Sequence, residues 1–231
     1  MVALGLKHKR ITVFAGHYGS GKTNIAINYA LMLSKSKEKV SIADLDIVNP
    51  YFRTKDSEKD ISDAGIRLIS SEFANTNVDT PALPPEVYSV FEDKGVYAVI
   101  DVGGDDRGAL ALGRYVPYII GEDNYEMLFV INKYRFLTRD ASSTIEVMSE
   151  IEKAANIRFT GIVNNSNLGE ETTAKTVLDS VSYAEEVSNL SGLPIKMTTV
   201  KESLEGELNG KINNIVPLRL YVRQSWLKEE K

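Results

Sequence analysis

Cysteine is absent from the 231 residues. Without a thiol the chain can build no disulfide, no thiolate metal centre, no cysteine-ligated iron–sulfur cluster and no cysteine nucleophile. Long apolar runs are lacking too, since none approaches the roughly 20 residues that span a bilayer. The opening stretch MVALGLKHKR places its charges after a very short apolar piece, the wrong order and length for a secretory signal. A cytoplasmic protein is therefore expected. Basic excess is missing as well: 27 Lys and Arg stand against 32 Asp and Glu, a net charge of −5. That balance argues against a surface that coats nucleic acid or anionic membrane as a whole, and leaves room only for a local basic patch. No internal repeat or low-complexity tract interrupts the chain.

What is present suits one α/β domain over residues 1–231, because 43% hydrophobic content in a chain of this length can bury a full core. Short runs rich in Val, Ile and Phe alternate with amphipathic stretches, the pattern of βαβ units around a mostly parallel sheet flanked by helices. Strands are expected near 10–15 (RITVFA), 39–44, 66–70, 96–101, 126–132, 158–164 and 194–200. Helices are expected near 22–36, 84–93, 108–120, 140–155, 172–190 and 217–229. Residues 45–60 and 71–85 are polar, contain Pro or Asn and fit neither period; loops of that length are often functional.

The sharpest feature is GHYGSGKT at residues 16–23, directly after a buried-strand pattern and directly before a helical one. In this G-x-x-x-x-G-K-T spacing, Gly16, Gly19 and Gly21 let the backbone turn tightly so that several N–H groups converge on one oxyanion. Lys22 is placed to reach the β- and γ-phosphates. The Thr23 hydroxyl is placed to ligate Mg²⁺ at the start of a helix whose dipole favours an anion. The loop and first helical turn, with His17, Tyr18, Ser20 and Asn24, form the expected nucleotide contact. His8 reads as a solvated residue of a basic tail, and a lone loop histidine such as His17 is also commonly solvated.

Carboxylates follow where such a loop needs them. In ADLDIVNP, Asp44 and Asp46 lie two residues apart and so on one side of an extended chain. Magnesium on a nucleoside triphosphate keeps several waters, which carboxylates must hold, and hydrolysis needs a group to orient the attacking water. Asp44 is assigned the first task and Asp46 the second. The strand VYAVID closes on Asp101, the position from which a carboxylate backs up Mg²⁺ in these sites. Gly103 and Gly104 follow, leaving a backbone able to approach a γ-phosphate and to move when it departs. Asp105, Asp106 and Arg107 complete a charged loop.

Taken together these motifs resemble the MinD/ParA-type ATPases of the SIMIBI class of P-loop proteins, over most of the chain. GHYGSGKT falls on their phosphate loop, DLDIVNP resembles their switch I and IDVGG their switch II. GIVNNSN is similar to the segment whose Asn reads adenine, with Asn165 the better match and Asn164 the alternative. The resemblance implies a largely parallel sheet of about seven or eight strands, ATP and Mg²⁺ as cofactors, and a homodimer closing face to face around two nucleotides. It also implies slow ATP hydrolysis coupled to a protein partner, and a base lying against the turn near Val200 and Lys201. Two departures matter. His17 occupies the place of the family's signature lysine, which crosses the dimer. The absence of cysteine removes the intersubunit metal or cluster site that some relatives build.

Other readings are weaker on the residues themselves. The string INKYR mimics a guanine motif, but its fourth position is Arg135 rather than a carboxylate, so nothing there accepts the guanine N1 and N2 hydrogens. A small-molecule kinase or ligase of the dethiobiotin synthetase type shares the fold class but not its loop signature. A non-catalytic nucleotide-dependent module is a further alternative. At the end of the chain Leu218, Tyr221, Val222 and Trp226 fall at helical spacing with Arg219, Arg223 and Lys228 elsewhere, as in a membrane-surface helix. The acidic pair Glu229 and Glu230 opposes that, so packing on the sheet is expected. Lys133, Arg135 and Arg139 around Tyr134 and Phe136 offer a small basic cluster for DNA, against the acidic net charge.

Overall fold

A computed structural model describes residues 8–36, 39–46, 58–70, 85–104 and 106–221. Within them the chain forms eight strands: β1 (Ile11–Ala15), β2 (Lys39–Leu45), β3 (Arg67–Ile69), β4 (Val96–Val102), β5 (Tyr125–Ile131), β6 (Gly161–Asn164), β7 (Ile195–Lys201) and β8 (Ile215–Leu218). They make one sheet in the order β3-β2-β4-β1-β5-β6-β7-β8, and every neighbouring pair is parallel. Parallel neighbours need crossovers, and the crossovers carry α1 (Lys22–Lys35), α2 (Glu58–Asp63), α3 (Ser89–Glu92), α4 (Asp106–Gly113), α5 (Val116–Glu122), α6 (Ala141–Ala155), α7 (Ala174–Leu178), α8 (Val181–Ser191) and α9 (Glu205–Leu208).

Both faces of the sheet are covered, which is why its central strands read as continuous apolar runs rather than alternating ones. Phe14, Ile42, Val99, Leu128 and Val130 pack under Ile25, Ala26 and Leu33 of α1 and Ile61 of α2. The alternate residues Val13, Ala43, Ile100 and Phe129 pack against Leu112 of α4, Ile119 of α5, Val147 and Met148 of α6, and Val187 of α8. A small third cluster, Ala174, Val177, Val200 and Leu208, closes the β7 end.

The strands expected from the sequence are present, although the sixth begins only at Gly161. The helices differ in detail. The pattern near 108–120 is two helices broken before Val116, where Pro117 sits in the first turn of α5. The pattern near 172–190 divides at Asp179–Ser180, and 84–93 is a 3₁₀ turn followed by the single turn of α3. The expected helix near 217–229 does not start where its spacing suggested. Residues 215–218 pair in parallel with β7 as the edge strand β8, and an edge tolerates Pro217 because its missing N–H breaks no second ladder. Val222, Arg223, Trp226 and Lys228 lie outside the described residues, as do most of the two long polar stretches.

At the amino ends of the strands, Arg10 is almost fully buried. It pairs with Glu122 of α5 and donates through Nη1 to the carbonyls of Val90 (2.9 Å), Asp93 (3.3 Å) and Val96 (3.1 Å). Nearby His8 is not simply solvated: its Nδ1 lies 3.1 Å from the Tyr29 hydroxyl, and the two rings meet edge to face. Among the described residues no helix is long and apolar enough to cross a membrane.

Candidate nucleotide-binding site

The sheet order reverses direction around β1, and in open α/β sheets that is where ligands settle, beyond the carboxyl ends of the strands. The loop of residues 16–21 leaves β1 there and enters α1. Gly16, Gly19 and Gly21 take φ values of 154°, 75° and 89°. Gly16 is sterically required, because a Cβ on it would lie 2.4 Å from the carbonyl oxygen of Val130 in the neighbouring strand. The loop closes on itself through Ser20 N to His17 O (3.2 Å) and Lys22 Nζ to His17 O (3.2 Å).

Helix α1 begins without a side-chain cap, whereas α6 is capped by Asp140 and α7 by Thr173. Its first N–H groups therefore face the loop, the arrangement that binds an anion. Lys22 and Ser20 are buried at this mouth, 6% and 2% exposed, and Ser20 Oγ has no partner.

The acidic side is assembled by register. Asp44 pairs with Asp101 across β2 and β4, and Phe14 of β1 pairs with Asp101 from the other side. Thr23 Oγ1 donates to Asp101 Oδ2 at 2.6 Å, while Asp101 Oδ1 is buried without a partner. Burial raises the Asp101 pKa to about 7; Lys22 and the Thr23 hydrogen bond oppose that rise and Asp46 adds to it. Asp44 Oδ1 accepts from the Asp46 backbone N–H at 2.9 Å, so the two carboxylates share one turn. Gly104 nests against the loop: a Cβ there would lie 2.5 Å from Tyr18 N and 3.0 Å from Lys22 Nζ. Gly108 is packed as close, a Cβ there lying 2.5 Å from Gly103 Cα, which lets the chain after β4 fold back onto the start of α4. Asp105 lies outside the described residues.

The remaining sequence candidates separate. Asn165 is at the loop: its Nδ2 donates to Ser20 O at 2.6 Å, and Thr199 Oγ1 donates to its Oδ1 at 2.6 Å. Asn164 is buried away from the loop, bonded to the Ser180 and Ser166 hydroxyls. Asn24 faces the exit of the edge strand β8, where its Oδ1 accepts from Tyr221 N at 2.9 Å. Val200 is buried in the third cluster. Lys201 bonds Glu170 and borders an open cavity of about 830 Å³ with Leu31, Asp60, Glu202, Arg219 and Tyr221. Tyr18 is exposed. His17 donates from Nδ1 to Tyr18 O at 3.0 Å, and burial lowers its pKa; that hydrogen bond opposes the fall, and Lys22 and Arg135 add to it.

Sequence reasoning missed two contributors. Thr199 positions Asn165, and Arg135 donates from Nε to Gly19 O at 2.9 Å. The rest of the supposed basic cluster is dispersed: Lys133 Nζ bonds Asp179 O, Tyr134 bonds Thr176 O, and Arg139 sits over the Phe136 ring beside Asp140. Asn132, the first residue of the guanine-like string, is fully buried and holds Tyr134 N and Asn167 N with its own side chain.

Against known families, residues 11–205 match the CobQ/CobB/MinD/ParA nucleotide-binding domain. The chain belongs to that family. The domain is thus a nucleotide-binding P-loop domain of the SIMIBI class. Among curated proteins none matches the chain. Among solved structures it is similar to FtsY from Mycoplasma mycoides, at 21% identity and a TM-score of 0.56, over 83% of this chain and 60% of that one. FtsY from Thermotoga maritima gives 21% and 0.52 over 85% and 64%. The signal recognition particle 54 kDa protein from Aeropyrum pernix, in complex with GDP, gives 19% and 0.53 over 81% and 40%. At these identities the likeness is one of fold, and the chain spans less than two thirds of the length of each.

Proposed function

We propose that this domain is a magnesium-dependent ATP switch of the cytoplasm, which binds ATP, pairs with a second copy, hydrolyses slowly and signals its state to a protein partner. The observation that carries the reading is the Thr23–Asp101 pair at the mouth of an uncapped helix. A hydroxyl and a buried carboxylate with one unsatisfied oxygen are the groups that a nucleotide-bound Mg²⁺ and its waters require. Thr23 would ligate it directly, with Asp44 and Asp101 holding its waters. Bound there, it neutralises charge on the transferring phosphoryl group.

The chain's own residues supply the remainder. Lys22 draws the phosphates into the nest, and Asp46, beside Gly103, orients the attacking water. A γ-phosphate arriving beside Gly104 would shift it relative to Tyr18, and the segment after β4 would carry that movement outward. Adenine is favoured because Arg135 stands where a guanine motif needs a carboxylate, so nothing there accepts the guanine N1 and N2 hydrogens.

Calorimetric titration with ATP, GTP and ADP, each with magnesium and with EDTA, tests this. We expect MgATP to bind best, EDTA to weaken it, and Lys22→Ala to abolish it. A clear preference for GTP would transfer the reading to a GTPase, and unchanged binding by Lys22→Ala would remove the loop from its role. Asp46→Ala is expected to keep ATP affinity, lose turnover and accumulate as a dimer, read by light scattering.

A further inference from the structure

The loop of residues 16–21 is flanked on one side by β4, with Asp101 and Gly104, and on the other by β5, whose exit carries Arg135. The Arg135 side chain lies along the crest of the loop. Its Nε donates to Gly19 O at 2.9 Å, and its Nε, Cζ and Cδ sit 3.4, 3.5 and 3.7 Å from where a Cβ on Gly19 would be. That contact uses one of the five N–H groups of the guanidinium. Among the described residues no carboxylate pairs with it, whereas the buried Arg10 has Glu122. A half-buried guanidinium with no carboxylate beside it keeps its remaining N–H groups available to an anion.

Its support is rigid. Arg135 N donates to Asn132 O (3.1 Å), Thr138 N donates to Arg135 O (3.1 Å), and Thr138 Oγ1 donates to Asn132 O (2.7 Å), all around the fully buried Asn132. The neighbours Lys133 and Tyr134 point the opposite way, to the α7 end. Arg135 alone is aimed at the loop. Lys22 and Arg135 share a pattern, each holding a carbonyl of the loop.

We infer that Arg135 is a second phosphate-binding cation of this site, supplied in cis from the loop after β5, which contacts the polyphosphate of the nucleotide from the side opposite Asp101. The inference rests on the nucleotide-binding reading and adds a residue to it. Nε anchors the guanidinium to Gly19 O, and the outward N–H pair is left for phosphate oxygens in the forked manner that a lysine ammonium cannot reproduce.

Arg135→Ala, Arg135→Gln and Arg135→Lys test it in the full chain. MgATP and MgGTP titrations are run at several salt concentrations, with thermal unfolding of each nucleotide-free variant. We expect the Ala and Gln variants to lose about tenfold to a hundredfold in triphosphate affinity, with a shallower salt dependence, and Lys to restore part of the affinity. Unchanged triphosphate affinity would overturn the inference. So would a loss of affinity that keeps the wild-type salt dependence and tracks a lowered unfolding temperature, since Arg135 would then only latch the loop. Wild-type protein that binds no nucleotide would sink the underlying reading as well, whereas wild-type binding with indifferent Arg135 variants sinks this inference alone.

Discussion

At the level of single residues, the site depends on places where a methyl group cannot fit. Gly104 is the clearest, because the atoms its Cβ would meet at 2.5 and 2.6 Å are backbone N and Cα of Tyr18, which cannot swing aside as a side chain can. Gly104→Ala must push the chain after β4 off the phosphate loop, an overpacking that costs about 1–3 kcal/mol. We expect nucleotide affinity to fall with it. Gly121 in α5 is the control: nothing lies within 4 Å of its added Cβ, so Gly121→Ala should be neutral or stabilising by up to about 1 kcal/mol. Chemical denaturation of both variants with a nucleotide titration separates them, and equal behaviour would show that the packing at Gly104 is not constraining. The same close contacts explain why residues were readable here. A glycine needed for backbone approach leaves its mark in sequence, whereas Arg135 left none, since what matters about it is that β5 lies beside β1.

At the level of elements, parallel strands and their order around β1 followed from apolar runs spaced by helical patterns, because each buried strand must be uniformly apolar. The carboxyl end of the sheet was harder to read. Leu218 and Tyr221 fall at a spacing that a helix also produces, and four residues are too few to show a strand period. What fixes β8 is tertiary: it pairs with β7, and its exit is fastened to α1. Asn28 of α1 donates from Nδ2 to Arg219 O (2.8 Å) and accepts from Arg219 N (3.0 Å), while Asn24 accepts from Tyr221 N. The Asn24 carboxamide oxygen thus takes part in holding that exit. Asn28→Ala removes a two-way clasp at a half-buried position and should cost about 1 kcal/mol. Hydrogen exchange at the Arg219 amide should accelerate while that of β1 amides stays slow. Unchanged exchange at Arg219 would mean that β7 pairing alone holds the exit.

Across the whole molecule, the two ends of the sheet divide the work. The carboxyl ends carry the phosphate loop and its carboxylates, and the amino ends carry a buried charge cluster that ties β1, the turn before β4 and α5 together. In that cluster Glu122 lies between Arg10 and Lys94, with side-chain exposures of 9%, 5% and 65%. The Arg10 hydrogen bond, joined by Lys94 and opposed by burial, holds the Glu122 pKa below the ordinary glutamate range. A carboxyl whose pKa is lower folded than unfolded adds stability above its unfolded pKa and loses it as pH falls through the folded value. Wild-type stability should therefore decline on acidification below the ordinary glutamate range. Glu122→Gln should be less stable at neutral pH by about 3 kcal/mol, because it leaves Arg10 buried beside a neutral amide. The gap between the two proteins should narrow as pH falls, which urea denaturation from neutral to acid pH would follow. Nucleotide affinity of the folded variant at neutral pH should match wild type, since the cluster lies at the far end of the strands from Lys22. A gap that stays constant with pH would show that Glu122 acts there through shape rather than charge, and an altered affinity would show that the two ends of the sheet are coupled.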